Sequence, residues 1–260
     1  MDKKKYDLNS VQVQFIDASN GNNVLVALES LKSATAVAID TETVYNESDD
    51  LITHTLPSGE EGTYKRNLNV DGPGMWRVMS IAARFGTVED AQYLCWVLDM
   101  KDADFAAVNK ALSGVKPYGW NASFDRGVLE RDGVHVRNWW DAMLMDAVVR
   151  AGSNGSDTSR YSSLAAATNR ELGIDLDGKS TTRLSYDADT ELTADQVTYA
   201  ANDAIVTLWV GDVIGARARS FDLTNTVVRE CAANPLIDQM TRAGLPIDVQ
   251  AYTEQVIEPA

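Results

Sequence analysis

Thiol and imidazole chemistry is nearly excluded by what the chain lacks: among 260 residues there are two cysteines, Cys95 and Cys231, and two histidines, His54 and His135. Two thiols are too few for a disulfide framework or a thiolate metal centre, and two imidazoles cannot build a zinc site alone. Long apolar runs are missing as well. Nothing approaches the roughly 18 residues of a membrane span, and Met1-Asp2-Lys3-Lys4-Lys5 leads into polar sequence instead of a signal-peptide apolar core. A soluble chain with no membrane partner is therefore expected. Basic residues are scarce, 23 against 38 acidic for a net charge of -15, which argues against a broad cationic surface for nucleic acid. A site gripping only a few nucleotides stays open, with divalent ions offsetting the carboxylates and local help from residues such as Arg77, Arg126 or Lys116. Binding by such a chain is expected to be weak and strongly salt-dependent.

What is present is material for a packed core: 45% hydrophobic residues and 8% aromatics, enough for one sizeable domain or two small ones. With thiols and imidazoles discounted, any metal chemistry falls to carboxylates. Asp40-Thr41-Glu42 ends the apolar run Ala36-Val37-Ala38-Ile39. If that run is a buried strand, alternation sends Asp40 and Glu42 to one face, where two like charges call for a cation. The same tripeptide recurs as Asp189-Thr190-Glu191, but without an apolar strand before it.

Periodicity predicts a helix over Asn22–Lys32 and a strand over Thr35–Ile39. From Thr43 to about Gly74 a polar stretch with Leu56-Pro57-Ser58-Gly59 and Asp71-Gly72-Pro73-Gly74 reads as a surface insertion or flap. Arg77–Phe85 and Gln92–Leu98 read as a hairpin through Gly86, Asp102–Leu112 as a helix and Val115–Trp120 as a strand. Asn121-Ala122-Ser123-Phe124-Asp125 then enters a helix to Arg131, with Asp125 in its first turn. Trp139-Trp140-Asp141 precedes a helix to about Ala151, Asp141 being its N-cap; Ser153–Arg160 is a polar loop; Ser162–Leu172 is a helix closed by Gly173. Thr193-Ala194-Asp195-Gln196 is a capping box opening a helix to about Arg217, on which Tyr199 and Asp203 share a face. Asp187, Asp189 and Glu191 read as a solvated loop, and His135 as structural. Alternating strands and helices after a hairpin predict an α/β fold, a mixed sheet with helices on its faces. At the end of the chain, Asn234-Pro235 reads as the cap and first residue of a helix closed by Gly244.

An acidic pair at a strand end, an Asp at a strand-to-helix junction and a Tyr and Asp on a late helix resemble, in that order, the DEDDy branch of the DnaQ-like 3′-5′ exonucleases. Trp120 to Asp125 looks like the family's second motif and Tyr199 to Ala204 like its third; Ser163-Leu164-Ala165 with Leu172-Gly173-Ile174 looks like the segment that ribonuclease D and proofreading domains place before it. The resemblance spans roughly residues 35–215 and implies a ribonuclease H-like fold. It also implies two Mg²⁺ or Mn²⁺ ions held by Asp40, Glu42, Asp125 and Asp203. Asp40 would bridge both, Glu42 and Asp203 would hold the one that activates water, Asp125 would hold the second directly or through water, and Tyr199 would orient the attacking water. Thr41, Thr43 and Asn121 would contact the terminal nucleotide, and Phe124, Tyr45 or Trp120 offer stacking faces.

Asn234 to Met240, running into Ala243 to Asp248, is similar to the segment by which family A DNA polymerases leave their exonuclease domain. The expected organisation is thus an exonuclease domain over 1–220, with 43–74 inserted, and a helical connector over 221–260. Three functions stay open. One is proofreading on single-stranded DNA 3′ ends beside a polymerase domain or replication proteins; another is RNA 3′-end trimming of the ribonuclease D kind; the third is a catalytically silent binding module. The expected location is the cytoplasm, a host's if the chain is phage-encoded.

Overall fold

The computed structural model describes residues 6–44, 47–55, 61–67, 76–151, 162–176, 182 and 184–243. Its framework is a mixed six-stranded sheet. In chain order the strands are β1 (Gln12–Asp17), β2 (Ala36–Thr43), β5 (Trp76–Phe85), β6 (Gln92–Asp99), β7 (Tyr118–Gly119) and β8 (Trp140–Asp141), and in space they run β1-β6-β5-β2-β7-β8. β5 is antiparallel to both neighbours, while β1 with β6, β2 with β7 and β7 with β8 are parallel. β5 lies at the centre with nine of its ten residues buried, Arg77, Ser80 and Arg84 among its apolar ones. Gly86, at φ 84°, makes the turn into β6, so the expected hairpin is found.

Helices cover both faces. One side carries α1 (Gly21–Ala27), α2 (Phe105–Ala111) and α3 (Ala122–Arg131), packed over Val37, Ile39, Met79 and Ile81. The other carries α4 (Ala142–Val149), α5 (Leu164–Leu172), α6 (Ala194–Ser220) and α7 (Thr224–Ala243), packed over Ala38, Val78, Ala82 and Val97. The mixed sheet with flanking helices is the predicted ribonuclease H-like class.

α6 is the long structural member, and the capping box that announces it is formed: Gln196 N donates to Thr193 Oγ1 at 3.2 Å and Thr193 N to Gln196 Oε1 at 2.9 Å. Small residues let it settle on the sheet. At Gly211 an added Cβ would stand 2.8 Å from the Tyr118 ring, so helix and strand close up only because no side chain intervenes.

Several expected boundaries move. The first helix stops at Leu28 and a 3₁₀ turn, Glu29–Ser33, follows. α2 starts later than Asp102, since Asp102 takes φ 54° and Asp104 caps the helix through Ala107 N. The strand expected over Val115–Trp120 shrinks to Tyr118–Gly119: Pro117 has no N–H for a ladder, and Asn121 turns the chain at φ 63°. β1 and β8 were not foreseen. β1 alternates as Val13 and Phe15, but these face solvent at 43% and 52% exposure, so its pattern runs opposite to the usual apolar-inward rule.

The end of the chain brings a correction. Asn234-Pro235 does not begin a helix; α7 runs unbroken from Thr224 to Ala243 with Pro235 inside it. The Asn234 side chain is used elsewhere: its amide donates to Asp141 Oδ2 at 3.2 Å and its oxygen accepts from Ser123 Oγ. With the Arg126–Asp238 ion pair, these contacts dock α7 against α3 and α4, and that tertiary anchorage outweighs the hydrogen bond that Pro235 removes. Gly244 lies outside the described residues. Within the 43–74 insertion the backbone forms an antiparallel pair, β3 (Glu47–Thr55) and β4 (Glu61–Asn67), in a sheet of its own. Tyr45 and Ser153–Arg160 fall outside the described residues.

Candidate active site

Alternation along β2 decides which groups meet. Ala38 faces the core under α6, whereas Val37 and Ile39 face the core under α1–α3. Asp40 and Glu42 continue the row of Ala38 toward α6, and Thr41 continues the opposite row toward α3. α6 presents Asp203 to the first row. Carboxylate oxygens of Asp40, Glu42 and Asp203 lie within 4.8 Å of one another. Glu42 and Asp203 are buried at 7% and 8% exposure, so three negative charges converge where water screens them poorly. An oxygen-only set of this charge suits a hard divalent cation such as Mg²⁺ or Mn²⁺.

Tyr199, one helical turn before Asp203, has its hydroxyl turned toward that carboxylate. Burial raises the Tyr199 phenol above its ordinary value, and the charges of Asp203, Glu42 and Asp40 add to the shift. It therefore stays protonated across the working range and acts as a hydrogen-bond donor, not a base.

Asp125 arrives from the other face. It stands in the first turn of α3, 2% exposed, and its Oδ1 accepts from Thr41 N at 2.9 Å and from Thr41 Oγ1 at 2.8 Å. Burial pushes its pKa up to about 7, outweighing the two bonds from Thr41; the neighbouring Asp141 raises it as well. Of the four expected carboxylates, three form the oxygen cluster, and Asp125 reaches the same strand through Thr41.

The expected substrate contacts are distributed unevenly. The Thr41 hydroxyl is buried and committed to Asp125. Asn121 holds the left-handed position that opens α3; it is exposed, and its side chain makes no cap bond. Phe124 is 39% exposed on the same turn, while Trp120 is half-buried against the α6-side core. Thr43 is half-buried at the end of β2, paired with Trp76. Asp141 caps α4 as expected, accepting from Met143 N and Leu144 N, and it also holds Ala122 N at 3.0 Å. Asp187, Asp189 and Glu191 are exposed, as a solvated loop should be. His135 is exposed; His54 falls where side chains are not described.

One residue enters unannounced, and two expected cations are spent elsewhere. Tyr186, 3% exposed, donates its hydroxyl to Gln196 O at 3.0 Å and sits close enough to Glu42, Asp40, Tyr199 and Asp203 for their charges to raise its pKa, after burial as the main cause. Nothing local in Ser185-Tyr186-Asp187 signals this, because the proximity is tertiary. Arg77, expected as a cation for nucleic acid, is fully buried and spent on internal partners, and Arg126 is paired with Asp238.

Comparison with known proteins places this geometry. No curated protein sequence matches the chain. Among solved structures it is similar to the catalytic core of RRP6 from Trypanosoma brucei, at 17% identity and a TM-score of 0.59, covering 88% of this chain and 54% of that one. It thus spans about half the length of that relative. It is also similar to Brucella melitensis NrnC bound to pGG, at 18% identity and 0.57, covering 92% and 98%, and to Trypanosoma brucei RNase D, at 15% and 0.59, covering 88% and 75%. These likenesses show the fold. A family model described as 3′-5′ exonuclease matches residues 75–216, which include Asp125, Tyr199 and Asp203 and begin after the insertion that follows Asp40 and Glu42. With more than half its length under that model, the chain belongs to the 3′-5′ exonuclease family.

Proposed function

We propose that the chain removes nucleoside 5′-monophosphates one at a time from the 3′ end of a single-stranded nucleic acid, using two Mg²⁺ or Mn²⁺ ions. The observation that carries this reading is the convergence of Asp40, Glu42 and Asp203 within 4.8 Å beside a protonated Tyr199. When bound, the ions supply an activated water and neutralise charge at phosphorus and at the departing 3′-oxygen. Asp40, Glu42 and Asp203 would hold them, with Asp125 contributing from across β2. Tyr199, its hydroxyl turned to Asp203, would orient the attacking water by hydrogen bonding through its oxygen. Asn121 and Phe124, both exposed at the start of α3, are placed to meet the terminal nucleotide. The net charge of -15 argues against a broad cationic surface and favours a grip on only a few nucleotides.

Two substrates fit this chemistry. Single-stranded DNA ends, proofread beside a family A polymerase, follow from the resemblance of the tail. RNA ends follow from the likeness to RNase D, and a related RNase D structure carries GMP. The test is end-labelled DNA and RNA of one sequence, digested side by side with Mg²⁺, Mn²⁺ or EDTA. Faster shortening of DNA supports the proofreading role and faster shortening of RNA the trimming role. No shortening of either, with either metal, would leave a silent binding module.

A further inference from the structure

The body of the helix that delivers Asp203 and Tyr199 is packed on the sheet, and its first turn is held from outside the helix. Its entry is the strap 185–193, polar and exposed apart from Tyr186 in the core and Leu192 packed against it. Such a segment fixes the following helix only if its backbone is tied down. Two buried side chains do this. Arg77, 0% exposed at the start of β5, donates Nε to Asp187 O at 2.9 Å and Nη2 to Thr190 O at 2.8 Å, while Nη1 is paired with Asp99 at the end of β6. One guanidinium thereby bridges the sheet to both ends of the turn 187–190, a turn that Asp187 Oδ1 closes on Asp189 N and Thr190 N. Tyr186 supplies the second tie through Gln196 O, in the first turn of α6. Gln196 answers with Nε2 to Ser185 O at 2.9 Å and completes the capping box with Thr193.

β5 is also the strand that pairs with the acidic end of β2, with Glu42 opposite Val78, the residue after Arg77. The group gripping the strap is therefore built into the same sheet segment that carries Glu42. We propose that Arg77 and Tyr186 are positioning residues: they set the distance between the carboxylates on β2 and the Tyr199–Asp203 face of α6. This rests on reading Asp40, Glu42 and Asp203 as the metal site. A fully buried guanidinium spent on two backbone carbonyls is suited to that task, since its planar fork fixes direction as well as distance. A displacement near 1 Å at the ligands is enough to cost roughly 100-fold in rate.

The test uses the full chain with Arg77→Lys, which keeps the charge but loses the fork, and Tyr186→Phe, which deletes only the hydroxyl. Mn²⁺ affinity is measured by calorimetry without nucleic acid, kcat and KM on a 3′-end substrate, and amide exchange across 185–199 against β5 and β6. The expected result is Mn²⁺ binding weakened by roughly tenfold, kcat lowered by a similar factor with KM within about twofold, and faster exchange confined to 185–199. Wild-type Mn²⁺ affinity and kcat in both variants would overturn the proposal, as would faster exchange spread evenly over the sheet. Should the wild type bind Mn²⁺ but leave all nucleic acid intact, the nuclease reading fails while the Mn²⁺ and exchange readouts still decide the positioning role.

Discussion

Replacing Thr41 by valine removes one oxygen from a buried bond and leaves the shape of the side chain intact. In the structure that oxygen donates to Asp125 Oδ1 at 2.8 Å, alongside the Thr41 backbone N–H at 2.9 Å. Because burial holds Asp125 near pH 7, the same hydrogen bond meets a neutral carboxyl at pH 5 and a carboxylate at pH 9. A bond between neutral groups contributes about 0.5–1.5 kcal/mol and one to a charged group about 1.5–3 kcal/mol, so the substitution is expected to destabilise the metal-free protein by about 1 kcal/mol more at pH 9. For a domain of this size that is an extra fall in Tm of about 2–4 °C. Loss of the donor also favours the protonated form, so the Asp125 pKa in the metal-free protein shifts upward. Urea unfolding in EDTA at the two pH values measures the first effect, and an NMR titration of the carboxyl in EDTA measures the second. An equal loss of stability at pH 5 and pH 9 would refute the reasoning, because it would mean that Asp125 does not change its charge in that window.

Other consequences are open to simpler checks. Asp125 binds a proton in the folded state that the unfolded chain releases near pH 4, so its contribution to metal-free stability is present below about pH 4 and is lost as pH rises through about 7; Asp125→Asn should flatten that decline in a pH series of unfolding curves. Asp203→Asn relieves repulsion among three carboxylates, so it should leave the EDTA-treated protein at least as stable as wild type while abolishing the rise in Tm that Mg²⁺ produces, read by calorimetry with and without the metal. Tyr199→Phe deletes a donor next to the cluster and is expected to lower kcat by roughly 10- to 1,000-fold with little change in Tm. Gly211→Ala drives a methyl into the Tyr118 ring, at a cost of about 1–3 kcal/mol in urea unfolding; combined with Tyr118→Ala, the total loss should be smaller than the sum of the two single losses.

The parts of the fold that could be read in advance are those where local chemistry and tertiary role agree. β2 announced itself by an apolar run ending in two carboxylates, α6 by a capping box and α5 by Gly173, and all three kept their places. β1 was hidden because its apolar residues point outward, and β8 because a two-residue strand has no periodicity to show. Asn234-Pro235 misled for a related reason: as a local signal it starts a helix, but Asp141 and Ser123 claim the Asn234 side chain and the helix runs through. At the site, spacing put Asp40 with Glu42 and Tyr199 with Asp203. No spacing could show that Thr41 would bind Asp125 from the far face, or that Arg77 would turn inward to hold the strap before α6.

The central claim, that the Asp40–Glu42–Asp203 cluster drives metal-dependent hydrolysis from a 3′ end, is tested most directly by product analysis on a 5′-labelled single strand. With Mg²⁺ the strand should shorten one nucleotide at a time from its 3′ end and release nucleoside 5′-monophosphates, and EDTA or Asp40→Ala should stop the reaction. Internal cuts, shortening from the 5′ end, or undiminished hydrolysis by Asp40→Ala would contradict it.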